Sequence, residues 1–180
     1  MGSLNYKHVA AEMRYDGMNK NLFAVTPPMG WNSYDYYDTG VTEEQVKANA
    51  DYMAKYLKQY GWEYVVCDIQ WYEPTADSSH YHKFADLCMD EYGRLIPAEN
   101  RFPSAKGGKG FKEIADYVHE KGLKFGIHIM RGIPRQAVSA NVTIKGTSYT
   151  ARQVTHPASI CCWNSDMYGL DSTQPGAQEY

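Results

Sequence analysis

One short segment constrains the fold of this 180-residue chain more than any other. Residues 64–68 form an apolar run, Tyr-Val-Val-Cys, that ends in the carboxylate of Asp68. Continuous apolar strands are typical of parallel sheets that are covered on both faces, whereas half-exposed strands alternate polar and apolar residues. The run therefore predicts a buried parallel strand, which must be joined to its parallel neighbours by long, usually helical crossovers.

Amphipathic helices are predicted on both sides of this strand. A capping box at residues 42–45 and apolar residues at helical spacing up to Gly61 predict a helix over about residues 42–60. The same spacing over residues 111–118, closed by Gly122, predicts a second helix.

Two further strands extend the alternation of strands and helices. Residues 27–34 predict a first strand with its prolines at the start, and residues 123–130 predict a third. A proline opens residues 175–180, which predict the first turn of another helix. The connections at residues 73–104 and 131–174 are long and weakly patterned, and long loops of this kind are usually functional.

This order of elements predicts an α/β fold with a parallel sheet. A doubly wound sheet usually has a glycine-rich phosphate turn after its first strand, and none is present here. Polar and aromatic residues instead follow all three strands, which favours about three βα units at the N-terminal end of a (β/α)8 TIM barrel. We assign residues 26–180 to an incomplete barrel domain and the polar residues 1–25 to a leader or arm.

The overall composition narrows the class of partner. A net charge of -3 gives no basic surplus for a nucleic acid or an anionic membrane. The sequence has no long apolar run and no signal peptide, so we expect a cytoplasmic protein with reduced cysteines. No phosphate loop or zinc motif occurs, so we expect no cofactor and no metal. An open strand edge would allow self-association as a homo-oligomer.

The ends of the three predicted strands supply the candidate binding residues. Asp68 is the most informative, because a carboxylate that ends an apolar strand must contact a ligand or form an ion pair, for example with Arg131. His128 would shuttle a proton, bind a ligand or make a core hydrogen bond. The full set of candidates is Trp31, Tyr34, Asp68, Trp71, His128 and Arg131, with Asp35 beside them.

The tryptophans and the remaining histidines each allow two interpretations. Trp31 and Trp71 would either stack on a sugar ring or pack at the mouth of the barrel. His80 and His82, near Cys88, superficially resemble a metal pair, but they lie in a polar loop and are better interpreted as solvated side chains. A metal-dependent barrel hydrolase is a third hypothesis that rests on these histidines alone.

Several short motifs also occur together in one order. They are TPPMGWNS at residues 26–33, GWEYVV at 61–66, Asp68 with Trp71, GRL at 93–95, RFP at 101–103 and the segment at 119–127. Over residues 26–130 the chain thereby resembles the opening of the α-galactosidase and α-N-acetylgalactosaminidase (melibiase) family. The ordered match over this length is far more specific than any single motif.

This resemblance implies a retaining glycoside hydrolase that acts on α-galactoside-like bonds with two aspartates, one as nucleophile and one as acid and base. The family's nucleophile lies in a Lys-x-Asp motif on the fourth strand, and this chain has no such motif. We therefore expect both catalytic aspartates after Tyr180, and no activity from these residues alone. The same observation allows an alternative, a non-catalytic carbohydrate-binding or pseudo-enzyme barrel.

The resemblance also implies roles for individual residues. Asp68 matches the first of two adjacent aspartates that hold sugar hydroxyls, and Trp71 matches the tryptophan after that pair. Tyr34 matches a pocket tryptophan, and His128 matches a pocket tyrosine.

One departure from the family concerns specificity. Ile69 replaces the second of the two aspartates, so one acceptor for a sugar hydroxyl is lost. A related glycoside, such as an N-acetylgalactosaminide or a β-L-arabinopyranoside, would suit the altered site. Arg131 would contact substrate or replace the lost polar partner.

Overall fold

Three parallel strands form the first sheet in the order of the sequence: β1 Met29–Asn32, β2 Trp62–Cys67 and β3 Lys124–Ile127. The computed structural model describes residues 26–78 and 80–180, so the predicted arm at residues 1–25 lies outside the described residues. β2 pairs in parallel with both neighbours, as the apolar run predicted.

The two helices predicted on either side of β2 are confirmed. The short helix α1 spans Tyr34–Tyr37, and α2 spans Glu43–Tyr52 and continues as a π-helix at Met53–Leu57 and a 3-10 turn at Lys58–Tyr60. α3 spans Lys112–Glu120. The capping box forms at the start of α2, where the Thr42 hydroxyl accepts from the Gln45 amide and the Gln45 side chain accepts from the Thr42 amide.

The main core lies between the sheet and these helices. Val65 of β2 packs into one fully buried cluster with Val46 of α2 and Val118 of α3. Side chains alternate between the two faces of a strand, so Tyr64 lies on the opposite face, where it is 38% exposed. The sequence predicted burial on both faces, but the described residues cover only the helix side of the sheet.

Arg101 fixes the loops that follow β1 and β2. Its guanidinium is buried and donates to the carbonyl oxygens of Gln70 and Glu73 on one side, at 2.7 and 2.9 Å. On the other side it donates to the carbonyls of Thr39 and Val41, at 2.6 and 2.7 Å. One side chain therefore satisfies four backbone acceptors and joins two loops at the edge of the sheet that carries the site.

A second, antiparallel sheet forms where the sequence showed only a weakly patterned segment. Its strands pair in the order β4-β6-β5, and two short helices pack against them. The new elements are β4 Ile133–Pro134, α4 Arg135–Ala140, α5 Ala151–Val154, β5 Thr155–Ile160 and β6 Met167–Leu170.

The helix predicted at residues 175–180 is wrong. This segment forms turns, because Gly176 adopts a φ of 90°, which is incompatible with a right-handed helix. Among the described residues, no helix is long and apolar enough to cross a membrane.

Candidate functional site

Asp68 follows β2 at the carboxyl edge of the parallel sheet, where side chains from both neighbouring strands meet it. Asn32, at the end of β1, donates from Nδ2 to Asp68 Oδ2 at 2.6 Å. His128, directly after β3, places Nδ1 2.9 Å from Asp68 Oδ1. The Ile69 amide donates to the same oxygen at 2.7 Å. The carboxylate is only 6% exposed, so three strand ends hold it in one orientation.

The side-chain amide of Asn32 is itself held in one orientation. Its Oδ1 accepts a hydrogen bond from the Tyr34 backbone amide at 2.9 Å, which leaves Nδ2 to face Asp68. The Ser33 hydroxyl accepts from the Asp68 amide at 2.9 Å. These bonds pre-organise the carboxylate, because neither oxygen must reorient when a ligand arrives.

Asp68 lies in a pocket of about 430 Å³, a size that holds a small ligand. The wall combines two carboxylates, an imidazole, phenol hydroxyls and aromatic faces, which together suit a neutral ligand with several hydroxyl groups. The lining residues are Asn32, Tyr34, Asp35, Asp68, Ile69, Tyr81, His128 and Trp163.

Aromatic side chains from separate segments form one wall of this pocket. The hydroxyls of Tyr34 and Tyr81 are 2.8 Å apart, and the ring of Tyr81 lies 5.1 Å from that of Trp163. Burial, and then the hydrogen bond to Tyr34, raise the pKa of Tyr81, so this residue stays a neutral phenol. Trp163 is 55% exposed although it borders the pocket.

Four of the seven candidate residues named from the sequence line the pocket together: Tyr34, Asp35, Asp68 and His128. Sequence reasoning missed Asn32, although it ends β1 just as Asp68 follows β2. It also missed Tyr81 and Trp163, which lie in long connections without a periodic pattern.

Trp71 lies behind the pocket rather than in it. Its ring is 3% exposed, packs edge to face on Phe111 and donates from Nε1 to the His128 carbonyl at 3.0 Å. Gln70 has a left-handed φ of 67°, which turns the chain after Asp68 and directs Trp71 into the core. Trp71 therefore supports the backbone that carries His128.

Trp31 and Arg131 also lie outside the pocket. Trp31 pairs in register with the buried Val65 and packs on the core cluster on the helix side of the sheet. Arg131 lines a separate pocket of about 270 Å³ beside Tyr168 of the second sheet. The alternative of an ion pair between Asp68 and Arg131 is therefore not realised, since Asp68 contacts Asn32 and His128 instead.

The histidines of the polar loop form no metal site in the described part of the chain. His82 Nδ1 lies 2.7 Å from the buried Glu73 carboxylate, and that contact raises the pKa of His82. No cluster of three or more potential metal ligands occurs among residues 26–78 and 80–180.

Cys67 lies directly before Asp68, but burial raises its thiol pKa to about 12, so it is a neutral core group.

The chain matches known proteins over most of the described residues. A family model described as alpha galactosidase A matches residues 26–174. An α-galactosidase of Coffea arabica is 38% identical over 109 residues, which cover 60% of this chain and 24% of that protein.

Two solved structures are more similar. One is a β-L-arabinopyranosidase from Geobacillus stearothermophilus in complex with arabinose, 65% identical, with a TM-score of 0.87 and coverage of 91% of this chain and 38% of that one. The other is described as a putative α-N-acetylgalactosaminidase from Bacillus halodurans, 67% identical, with a TM-score of 0.80 and coverage of 86% and 36%. The chain thus spans less than two-fifths of each relative, and the predicted TIM-barrel architecture is confirmed over its N-terminal portion.

Proposed function

Because this chain belongs to the alpha galactosidase A family, we propose that it forms the sugar-binding N-terminal part of a retaining glycoside hydrolase. The observation that carries the proposal is the Asp68 carboxylate, which Asn32 and His128 hold at the floor of the pocket. A carboxylate fixed in this way accepts hydrogen bonds from sugar hydroxyls, and charge-assisted bonds are about twice as strong as neutral ones. Two aspartates on later strands would then cleave the glycosidic bond through a covalent intermediate.

The sugar that fits the site best is β-L-arabinopyranose. Its ring hydroxyls and anomeric bond have the configuration of an α-D-galactopyranoside, but it lacks the hydroxymethyl group. Ile69 lies beside Asp68 in the pocket wall and is 4% exposed, so it offers an apolar surface where the family has a second carboxylate. A pocket with one acceptor fewer suits a sugar with one hydroxyl fewer, because an unpaired buried hydroxyl is costly. A relative 65% identical is described as a β-L-arabinopyranosidase.

An α-N-acetylgalactosaminide is the second candidate substrate. A relative 67% identical is described as a putative α-N-acetylgalactosaminidase. The alternative from another class, a barrel that binds carbohydrate without cleaving it, would use the same pocket and differs only in the absence of turnover.

Hydrolysis by the full-length protein that contains these residues tests the proposal. The substrates are nitrophenyl β-L-arabinopyranoside, α-N-acetylgalactosaminide and α-galactoside, with the opposite anomer of each as the matched control. We expect cleavage of the first, with proton NMR showing a first product that retains the anomeric configuration. Inversion, or binding without turnover of any substrate, would refute the proposed hydrolase.

We also propose that the protein is cytoplasmic and that it self-associates as a homo-oligomer. All four cysteines, Cys67, Cys88, Cys161 and Cys162, are free, as is usual for cytoplasmic proteins. Residues of β5 after Thr155 are exposed, and such a strand offers an edge for self-association.

A further inference from the structure

His82 lies between two carboxylates of its own loop. Its Nδ1 is 2.7 Å from Glu73 Oε1, and its Nε2 is 3.6 Å from Asp77 Oδ1. A neutral imidazole carries a proton on only one ring nitrogen, so its other nitrogen would turn a lone pair toward a carboxylate. Only the imidazolium presents an N–H group to both. The geometry of the two contacts therefore favours the protonated ring.

The Glu73 carboxylate is buried and held in place. Glu73 is 1% exposed, and the Thr75 hydroxyl donates to the same Oε1 at 2.9 Å. The backbone carbonyl of Glu73 accepts from the Arg101 guanidinium, which already joins the loops at this edge. A buried charge that loses its charged partner is destabilised more than an exposed one. The proton on His82 therefore affects the loop more than the proton of a fully exposed ion pair would.

The segment around His82 has little backbone structure of its own. Among the described residues 80–86, one backbone-to-backbone hydrogen bond occurs, from the Ala85 amide to the His82 carbonyl at 3.4 Å. Tyr81 directly precedes His82, and its hydroxyl lies 2.8 Å from the Tyr34 hydroxyl in the wall of the Asp68 pocket. The contacts of the His82 ring therefore help to place Tyr81 at the pocket.

The charged groups that face His82 are all acidic. They are Glu73 and Asp77 from its own loop and, at longer range, Asp166 from the connection between β5 and β6. The hydrogen bond to Glu73, followed by these negative charges, raises the pKa of His82 above its ordinary value of 6.5. The stabilisation is thus complete below that ordinary value and is lost as the pH rises through the raised pKa. Burial raises the pKa of Tyr81 as well, so Tyr81 stays neutral over this range.

We propose that His82 is a proton-dependent latch on the loop at residues 73–82. As an imidazolium it bridges Glu73 and Asp77 and holds Tyr81 against Tyr34, and when its proton passes to solvent it releases Tyr81 from the pocket wall. His82 is a positioning residue, since it acts on the pocket through its neighbour. One consequence rests on the proposed function: the sugar binds more weakly at the alkaline pH where the latch opens.

Hydrogen exchange of the full-length protein measures the latch without any need for activity. Protection factors of residues 80–86 are compared at about pH 6 and about pH 9, after correction for the intrinsic exchange rate at each pH. We expect the wild type to lose about three- to tenfold protection, because a partly screened charge-assisted hydrogen bond is weakened. His82→Arg stays charged at both values and should keep its protection. His82→Gln is never charged and should be poorly protected at both.

His80→Gln is the matched control. His80 is exposed in the same loop and forms no ion pair among the described residues, so this variant should lose protection as the wild type does. Burial raises the pKa of Asp166, which makes Asp166 the alternative titrating group. If His82→Arg lost protection at alkaline pH as the wild type does, Asp166 or another group would titrate instead, and the latch would be overturned. Unchanged wild-type protection would overturn it too.

Steady-state kinetics on nitrophenyl β-L-arabinopyranoside tests the consequence for the sugar. The KM of the wild type, divided by that of His82→Arg, should rise about three- to tenfold between the same two pH values. A constant ratio together with the expected loss of protection would overturn the link between the latch and the pocket. Failure of the wild type to cleave any glycoside would refute the proposed hydrolase, and hydrogen exchange would still decide whether His82 is a latch.

Discussion

At the scale of single residues, Asp68 makes structural hydrogen bonds and has a proposed role in sugar binding, and one substitution cannot separate the two. Its two oxygens accept from Asn32 and from the Ile69 amide, and His128 lies beside them. Because Asn32 Oδ1 is already bonded to the Tyr34 amide, the Asn32 side chain cannot turn to suit a new partner.

Asp68→Asn places two amide groups opposite each other. We expect the free energy of unfolding to fall by about 1–3 kcal/mol, because one buried donor loses its acceptor. We expect kcat/KM to fall by about 30- to 1000-fold, because the charged group that we propose binds the sugar is gone. Urea denaturation and steady-state kinetics of the full-length protein measure the two effects.

Exchanging the side chains of residues 32 and 68 separates the loss of stability from the loss of activity. In Asn32→Asp/Asp68→Asn the carboxylate at residue 32 still accepts from Tyr34, and it pairs with the new amide at residue 68. Stability should largely recover while kcat/KM stays low, since the charge has moved away from its position after β2. If activity recovered together with stability, Asp68 would be only a structural hydrogen-bond partner.

The pocket residues that the sequence predicted share one physical signal. Asp68 and His128 lie at the ends of strands that could be located from their apolar runs, and Tyr34 lies just past the end of β1. Tyr81 and Trp163 reach the pocket through tertiary contacts between two loops. No local period in the sequence encodes such contacts, so these residues could be found only in the structure.

At the scale of elements, regular segments were predicted well and the long connections were not. α2 could be predicted because its cap and its apolar spacing agree with each other. The antiparallel strands were missed because β4 and β6 are short and β5 is mostly exposed, so neither an apolar run nor a clear alternation marks them.

Arg101 is the side chain on which the loop geometry depends most. Lysine has one nitrogen in place of the two that donate to four carbonyls here, so Arg101→Lys leaves buried acceptors without a partner. We expect the free energy of unfolding to fall by about 3–5 kcal/mol. Urea denaturation of the full-length protein measures it.

Arg94→Lys is the matched control for this substitution. Arg94 is 48% exposed and pairs with Asp90, so its replacement should cost less than about 1 kcal/mol. If Arg101→Lys were as mild as the control, the four carbonyl contacts would not hold the loops together.

At the scale of the whole molecule, the described residues build one sector of a TIM barrel, which we propose binds a sugar. The parallel strands bring Asn32, Asp68 and His128 to one edge, and the connections add an aromatic wall. The proposed function assigns sugar binding to this edge and assigns the choice of sugar to Ile69, which stands beside Asp68 in the pocket wall.

The most direct test measures kcat/KM of the full-length wild type and Ile69→Asp on nitrophenyl β-L-arabinopyranoside and α-D-galactopyranoside. The wild type should prefer the arabinopyranoside. Ile69→Asp should shift the ratio toward the galactoside by about 10- to 100-fold, because a charge-assisted hydrogen bond contributes about 1.5–3 kcal/mol. A wild type that prefers the galactoside, or a ratio that Ile69→Asp leaves unchanged, would contradict the claim that Ile69 beside Asp68 selects the sugar.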